Sequence, residues 1–166
     1  ILRKDEIESG AEQLLLDYCP NALSNQNEHC PYTLARRMGL SVERLPLYKQ
    51  SHTLSMLFFC EGTVMVQDPP EKTDEDPPEP YEVTIPGNTI LINTCAVHKD
   101  YCQLEIYHEC VHFDWHFMFY RLQHMHNNDI NALRTKRVVV TDNSKTNNPL
   151  SWMEWQASRG SFGLMM

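Results

Sequence analysis

Five residues, His108-Glu109-Cys110-Val111-His112, read H-E-x-x-H and are the part of this sequence best suited to chemistry. On an α-helix, positions four apart lie about 40° apart around the axis and about 6 Å along it. Both imidazoles then share a face and can grip one metal ion, at roughly 2.0–2.1 Å per Zn–N bond. Glu109 directly follows the first histidine, so its carboxylate can reach a water beside the metal without being a ligand itself. The chemistry that suits this spacing is metal-assisted hydrolysis, with Glu109 as the general base. The plainer alternative is a core helix with two hydrogen-bonded histidines, although so many histidines are unusual for a core.

A helix has to carry the motif. Leu104, Ile106, Tyr107, Val111, Trp115, Met118, Phe119 and Leu122 form an apolar stripe at helical spacing. No Gly or Pro interrupts residues 100–126, and one long buried helix is predicted over about 98–126.

Two histidines leave a catalytic zinc site one protein ligand short. The candidates for the third are His116, His124, His126, Asp114 and Glu154. His116 lies eight residues from His108, about 12 Å along an unbroken helix, so one ion cannot be held by all three histidines. No Gly lies between His112 and His116 to turn the chain, as it does in the longer H-E-x-x-H-x-x-G-x-x-H motif. His116 is thereby excluded as a ligand but can still face the site. His124 and His126 are further away along the same helix. Glu154 belongs to a separate predicted helix that can cross the first, with the small Ala157 three residues on. His₂Glu is a known zinc set, and a surface glutamate is the alternative. Tyr107, His116, Tyr120 and Arg159 are candidates to stabilise an oxyanion.

The remaining chain must supply the frame. Its 166 residues fit one domain, 1–166, with 42% hydrophobic and 22% charged residues. The net charge of −8 argues against nucleic-acid binding, which needs a basic face. No apolar run approaches the roughly 18 residues of a membrane span. The N-terminus lacks an apolar signal region and an initiator Met, so we expect a trimmed, cytoplasmic chain. Six cysteines without a C-x-x-C pair read as reduced, mostly buried thiols.

Residues 5–18 predict a first helix with Ile7, Ala11, Leu14, Leu15 and Tyr18 on one face. Pro31 opens a short second helix that Gly39 closes. Strands are predicted at 42–47, 54–60 and 63–67, with Glu61-Gly62 as a two-residue turn between the last two. Residues 81–85 and 89–93 give two more strands, joined by the Pro86-Gly87-Asn88 turn. Residues 68–80 hold five prolines and six acids against one lysine, and read as a solvated acidic loop or substrate flap. After 128 come a basic piece, 133–140, and a polar loop, 141–148. A last helix starts at Pro149 and is still apolar where the sequence stops, so we expect a missing C-terminal tail after 166.

The pairing of H-E-x-x-H with a downstream E-x-x-A helix ending in L-M-M resembles the ImmA/IrrE family of zinc metallo-endopeptidases. Glu154, Ala157, Leu164, Met165 and Met166 stand at the spacing of that family's final helix. The N-terminal order of helix, short helix closing in Met38-Gly39-Leu40, and small sheet is also similar. This chain has Val111 where the family often has Gly, Ser158 for Asn and Gly160 for Phe. The resemblance implies an α+β, zincin-like fold: a small, mostly antiparallel sheet on a long H-E-x-x-H helix with flanking helices. It implies one Zn²⁺ on His108, His112 and Glu154, with Glu109 as general base. It also implies a protein substrate, typically a helix-turn-helix repressor. The rival expectation is a zincin-like module of weak or no activity that binds such a regulatory protein. A third is a purely structural metal site, whose removal would unfold the chain.

Overall fold

Two β-strands are apolar along nearly their whole length, and their position explains it. In the computed structural model, described over residues 3–23, 30–69, 78–127, 134–138 and 149–165, β1 (Ser41–Leu45), β2 (Thr53–Phe58), β5 (Thr89–Asn93) and β6 (Arg137–Val138) form a four-stranded sheet. Its order is β1-β5-β2-β6. The β5 strand runs parallel to β1 and antiparallel to β2, with Ser41 opposite Thr89 and Ser55 opposite Ile92. All five β5 residues are buried. Ile90 and Ile92 join a helix-side core, while Leu91 joins a second cluster on the other face. Leu57 and Met56 of β2 divide in the same way. A strand covered on both faces reads as a continuous apolar run rather than an alternation. Burying each such large side chain contributes about 1.5–3 kcal/mol.

The second face is covered by a separate two-stranded ribbon, β3 (Gly62–Val66) with β4 (Tyr81–Ile85), paired Gly62 to Ile85 and Val66 to Tyr81. This corrects two expected hairpins: β3 does not pair with β2, and β4 does not pair with β5. Both edges of β2 are already taken, by β5 and β6, so β3 leaves the sheet. Gly62 permits the exit, because a Cβ there would stand 2.8 Å from the Phe58 ring. The ribbon's far ends are tied by Gln67 Nε2 donating to the Pro78 carbonyl at 2.9 Å and Tyr81 Oη donating to Asp68 at 3.3 Å. Between them, 70–77 of the acidic stretch lie outside the described residues. So do 139–148, covering the polar loop and the end of the basic piece, and Met166.

Helices cover the other face. The first, α1 (Lys4–Tyr18), buries Ile7, Ala11, Leu14 and Leu15, the face its spacing predicts. Next, α2 (Pro31–Arg37) begins with Pro at its first turn and is followed by Gly39 at φ 80°, a left-handed position that suits glycine. The motif segment is not one uniform helix. It comprises α3 (Cys102–Val111), a π-helical turn (His112–His116) and α4 (Phe117–Asn127). The π turn inserts an extra residue into the ladder and rotates the phase of every residue beyond it. Met118 and Leu122, predicted on the buried stripe, are consequently exposed, while Tyr120 turns into the core.

The last helix, α5 (Pro149–Met165), packs on α1 and α3 with Ala157 fully buried. Trp115 of the π turn fits between two glycines. A Cβ on Gly10 would meet its indole at 2.9 Å, and one on Gly160 would meet it at 3.0 Å and Val111 at 3.1 Å. Val111 and Gly160 therefore complement each other. The volume at 111, together with the indole, fills what a side chain at 160 would need. Among the described residues, no helix is long and apolar enough to cross a membrane.

Candidate metal centre

Three elements bring the predicted ligands together. His108 comes from α3, His112 from the start of the π turn and Glu154 from the first turns of α5. His108 Nε2 lies 3.0 Å from His112 Nε2 and 3.2 Å from Glu154 Oε2, and His112 Nε2 lies 3.1 Å from Glu154 Oε1. Both imidazoles are 0% exposed, and the Glu154 side chain is 35% exposed, so water reaches the cluster on the α5 side.

Protons alone cannot satisfy this triangle. With Glu154 ionised, two Nε2 hydrogens confront each other at 3.0 Å; one hydrogen leaves the bare nitrogen with its lone pair against a carboxylate oxygen at 3.1–3.2 Å; none leaves only lone pairs facing one another. One divalent cation resolves the conflict, because it takes all three lone pairs at once. Ligand atoms held tetrahedrally at 2.0–2.1 Å stand roughly 3.3 Å apart, close to the separations here. This buried His108, His112 and Glu154 group can hold a metal ion.

Burial pushes the His108 pKa down to about 3. Burial pushes Glu154 up, but the hydrogen bonds to His108 and His112 outweigh it and hold the carboxyl below its usual range. The two partners cannot share one proton as a full ion pair. We take the carboxylate as charged and His108 as neutral, since only Glu154 is reached by water. A neutral imidazole and an anionic carboxylate are the protonation states a cation requires.

Glu109 stands beside this triangle, not in it. It is fully buried. Its Oε1 accepts from Ser55 Oγ and its Oε2 from Thr135 Oγ1, both at 2.6 Å. Distances this short mark hydroxyls donating to a charged oxygen. Burial raises the Glu109 pKa, while neighbouring His112 and the two hydroxyls oppose it without cancelling it. Thr135 is fixed in turn: its N–H donates to the Leu57 carbonyl at 3.0 Å, and its Oγ1 accepts from Leu57 N–H at 2.8 Å. Behind Ser55 lies Glu105, 3.2 Å from Ser55 Oγ and 3.2 Å from Arg137 Nη1. The Arg137 contact is an ion pair by distance, without hydrogen-bond alignment.

His116 is outside the triangle but touches it. Its Nδ1 is 3.0 Å from His112 Nδ1, and its Nε2 is 3.1 Å from Gln156 Oε1. Among the other candidates, Asp114 accepts from Tyr18 at 3.4 Å, directed at α1. His124 and His126 do not join the cluster. Tyr120 is buried with its ring 6.1 Å from that of His112, and burial keeps its hydroxyl protonated. Tyr107 is buried among Cys19, Cys30 and Cys110, and Arg159 lies over the exposed Trp155 ring at 5.9 Å. None of the six cysteines forms a disulfide. Ser55, Thr135 and Gln156 were not singled out by the sequence.

Burial lowers the His116 pKa to about 4, below the usual 6.5. The unfolded chain therefore takes up a proton that the folded chain refuses, and the stability this ring contributes is lost as pH falls from 6.5 to 4. Metal-free protein should lose stability relative to a His116→Gln variant by up to about 1.4 kcal/mol per pH unit in that window. Urea unfolding at several pH values measures it; a constant difference would show that the ring protonates freely in the fold. In the comparisons with known proteins, no family model, curated protein or solved structure matches this chain.

Proposed function

We propose that the protein is a zinc-dependent metallo-endopeptidase of zincin-like layout. The observation that carries this reading is the triangle of His108, His112 and Glu154 donor atoms 3.0–3.2 Å apart, with the Glu109 carboxylate held beside it. His₂Glu favours zinc, though related divalent ions suit the same donors. When bound, such an ion supplies Lewis acidity to a water and a carbonyl. The chain's own residues do the rest. Glu109 takes the proton of the attacking water and passes it to the leaving nitrogen. Each of its oxygens accepts one hydroxyl and keeps a further lone pair for that purpose. Ser55 and Thr135 fix the carboxylate, and Tyr120, whose hydroxyl stays protonated beside His112, is the candidate donor to the developing oxyanion. In keeping with the resemblance, the substrate is a regulatory protein of the repressor type.

One observation favours a second reading, a partner-binding module of weak or no activity. Glu109 is 0% exposed, and Thr135 covers the oxygen opposite Ser55. One experiment separates the two. Zn²⁺-loaded protein is incubated with a mixed peptide library and read by mass spectrometry, with and without a chelator. Discrete chelator-sensitive cuts are expected. Stable peptide capture without any cut would replace the peptidase reading with the binding one.

A further inference from the structure

The His112 ring has two nitrogens, and only the Nε2 lone pair can serve the candidate metal site. Which nitrogen carries hydrogen is settled at the other end of a chain of contacts. Gln156 presents its carbonyl oxygen to His116 Nε2 at 3.1 Å. An amide oxygen only accepts, so His116 Nε2 carries the hydrogen and His116 Nδ1 bears a lone pair. That lone pair faces His112 Nδ1 at 3.0 Å, so His112 Nδ1 carries a hydrogen and, in the neutral ring, its Nε2 is left bare. The reverse assignment sets two lone pairs against each other at Gln156 and points an N–H into the triangle.

The i, i+4 spacing brings the two rings together, with centroids 4.9 Å apart, as it does for His108 and His112 at 4.7 Å. His108 has no such support: its Nδ1 is buried with no hydrogen-bond partner among the described residues.

We propose that Gln156 and His116 are positioning residues that lock the His112 ring in the Nδ1–H form and so prepare it to bind a divalent cation. The cation part rests on the proposed metal centre, but the tautomer does not. Hydrogen-bond partners of metal-binding histidines commonly contribute 10–100-fold in affinity.

The test uses the full chain and two variants at Gln156, which is only half-buried. Gln156→Leu keeps the bulk and removes the acceptor. Gln156→Glu restores an acceptor. Long-range ¹H–¹⁵N correlation of metal-free protein reads the tautomers, and competition with a chromophoric chelator reads Zn²⁺ affinity. Expected are His112 as Nδ1–H in the wild type, a mixed tautomer with roughly 10–100-fold weaker Zn²⁺ binding in Gln156→Leu, and near-native values in Gln156→Glu. The proposal is overturned if wild-type His112 carries its hydrogen on Nε2, if Gln156→Leu changes neither readout or affinity alone, or if Gln156→Glu fails equally. A wild type with the expected tautomer that binds no Zn²⁺ would refute the metal reading and the cation part, and leave the lock itself in place.

Discussion

Replacing Glu154 with alanine removes the Zn²⁺-dependent rise in melting temperature while leaving the metal-free protein folded. Saturating metal at about 100 times its Kd adds about 2.7 kcal/mol to a folded state that alone binds it. In the variant this gain disappears at the same concentration. The reason lies in the donor inventory. Glu154 supplies the cluster's only charge and its only ligand from α5; without it two neutral imidazoles remain, one face open to water. Affinity should therefore fall by well over the roughly 100-fold that loss of an outer partner costs. The fold should survive because neither hydrophobic cluster depends on Glu154. The lost hydrogen bonds to the charged carboxylate cost about 1.5–3 kcal/mol each, which the rest of the fold should withstand. Calorimetric scans with Zn²⁺ and with a chelator check both halves. Wild-type metal affinity in Glu154→Ala would mean the ion sits elsewhere. Unfolding of the wild type by chelator would make the site structural instead.

What could be read from the sequence tracked local periodicity. The face of α1, the ends of α2, the strand positions and the H-E-x-x-H pair all depend on residues near one another in the chain. The link between His108 and Glu154 was reachable only through an independent motif, E-x-x-A, on a second helix. Failures occurred where the outcome was decided at long range. Nothing in the turn-like Glu61-Gly62 pair reveals that both edges of β2 are occupied by β5 and by residues 137–138. The π turn is equally silent, since its residues carry no Gly or Pro. Its consequences are large: it moves Met118 and Leu122 to the surface and turns Tyr120 into the core. Thr135 reaches Glu109 across 26 residues of chain. Gln156 is two residues from Glu154, on nearly opposite sides of α5 by helical spacing, so no pattern pairs them. Each of these was fixed by which neighbour arrives, not by the residue's own propensity.

Changing Glu109 to glutamine should abolish hydrolysis and leave Zn²⁺ affinity within a few-fold of wild type, because Glu109 is held beside the ligands and is not one of them. A positioned base contributes typically 10²–10⁴-fold, and the neutral amide cannot take a proton at any working pH. The substitution also suits the surrounding hydrogen bonds. With its oxygen toward Thr135, the new amide accepts the hydroxyl that now meets Oε2 at 2.6 Å. Its NH₂ then faces Ser55, whose hydroxyl turns to donate to Glu105 Oε2, already 3.2 Å away. Every buried group keeps a partner, so stability should change by no more than about 1 kcal/mol. The rates to compare are those of wild type and variant on a peptide the Zn²⁺-loaded wild type cleaves, alongside chelator competition for metal. Cleavage at the native rate would remove Glu109 from the base role. Loss of metal together with activity would instead place its carboxylate among the ligands, against the geometry of Ser55 and Thr135 that holds it aside.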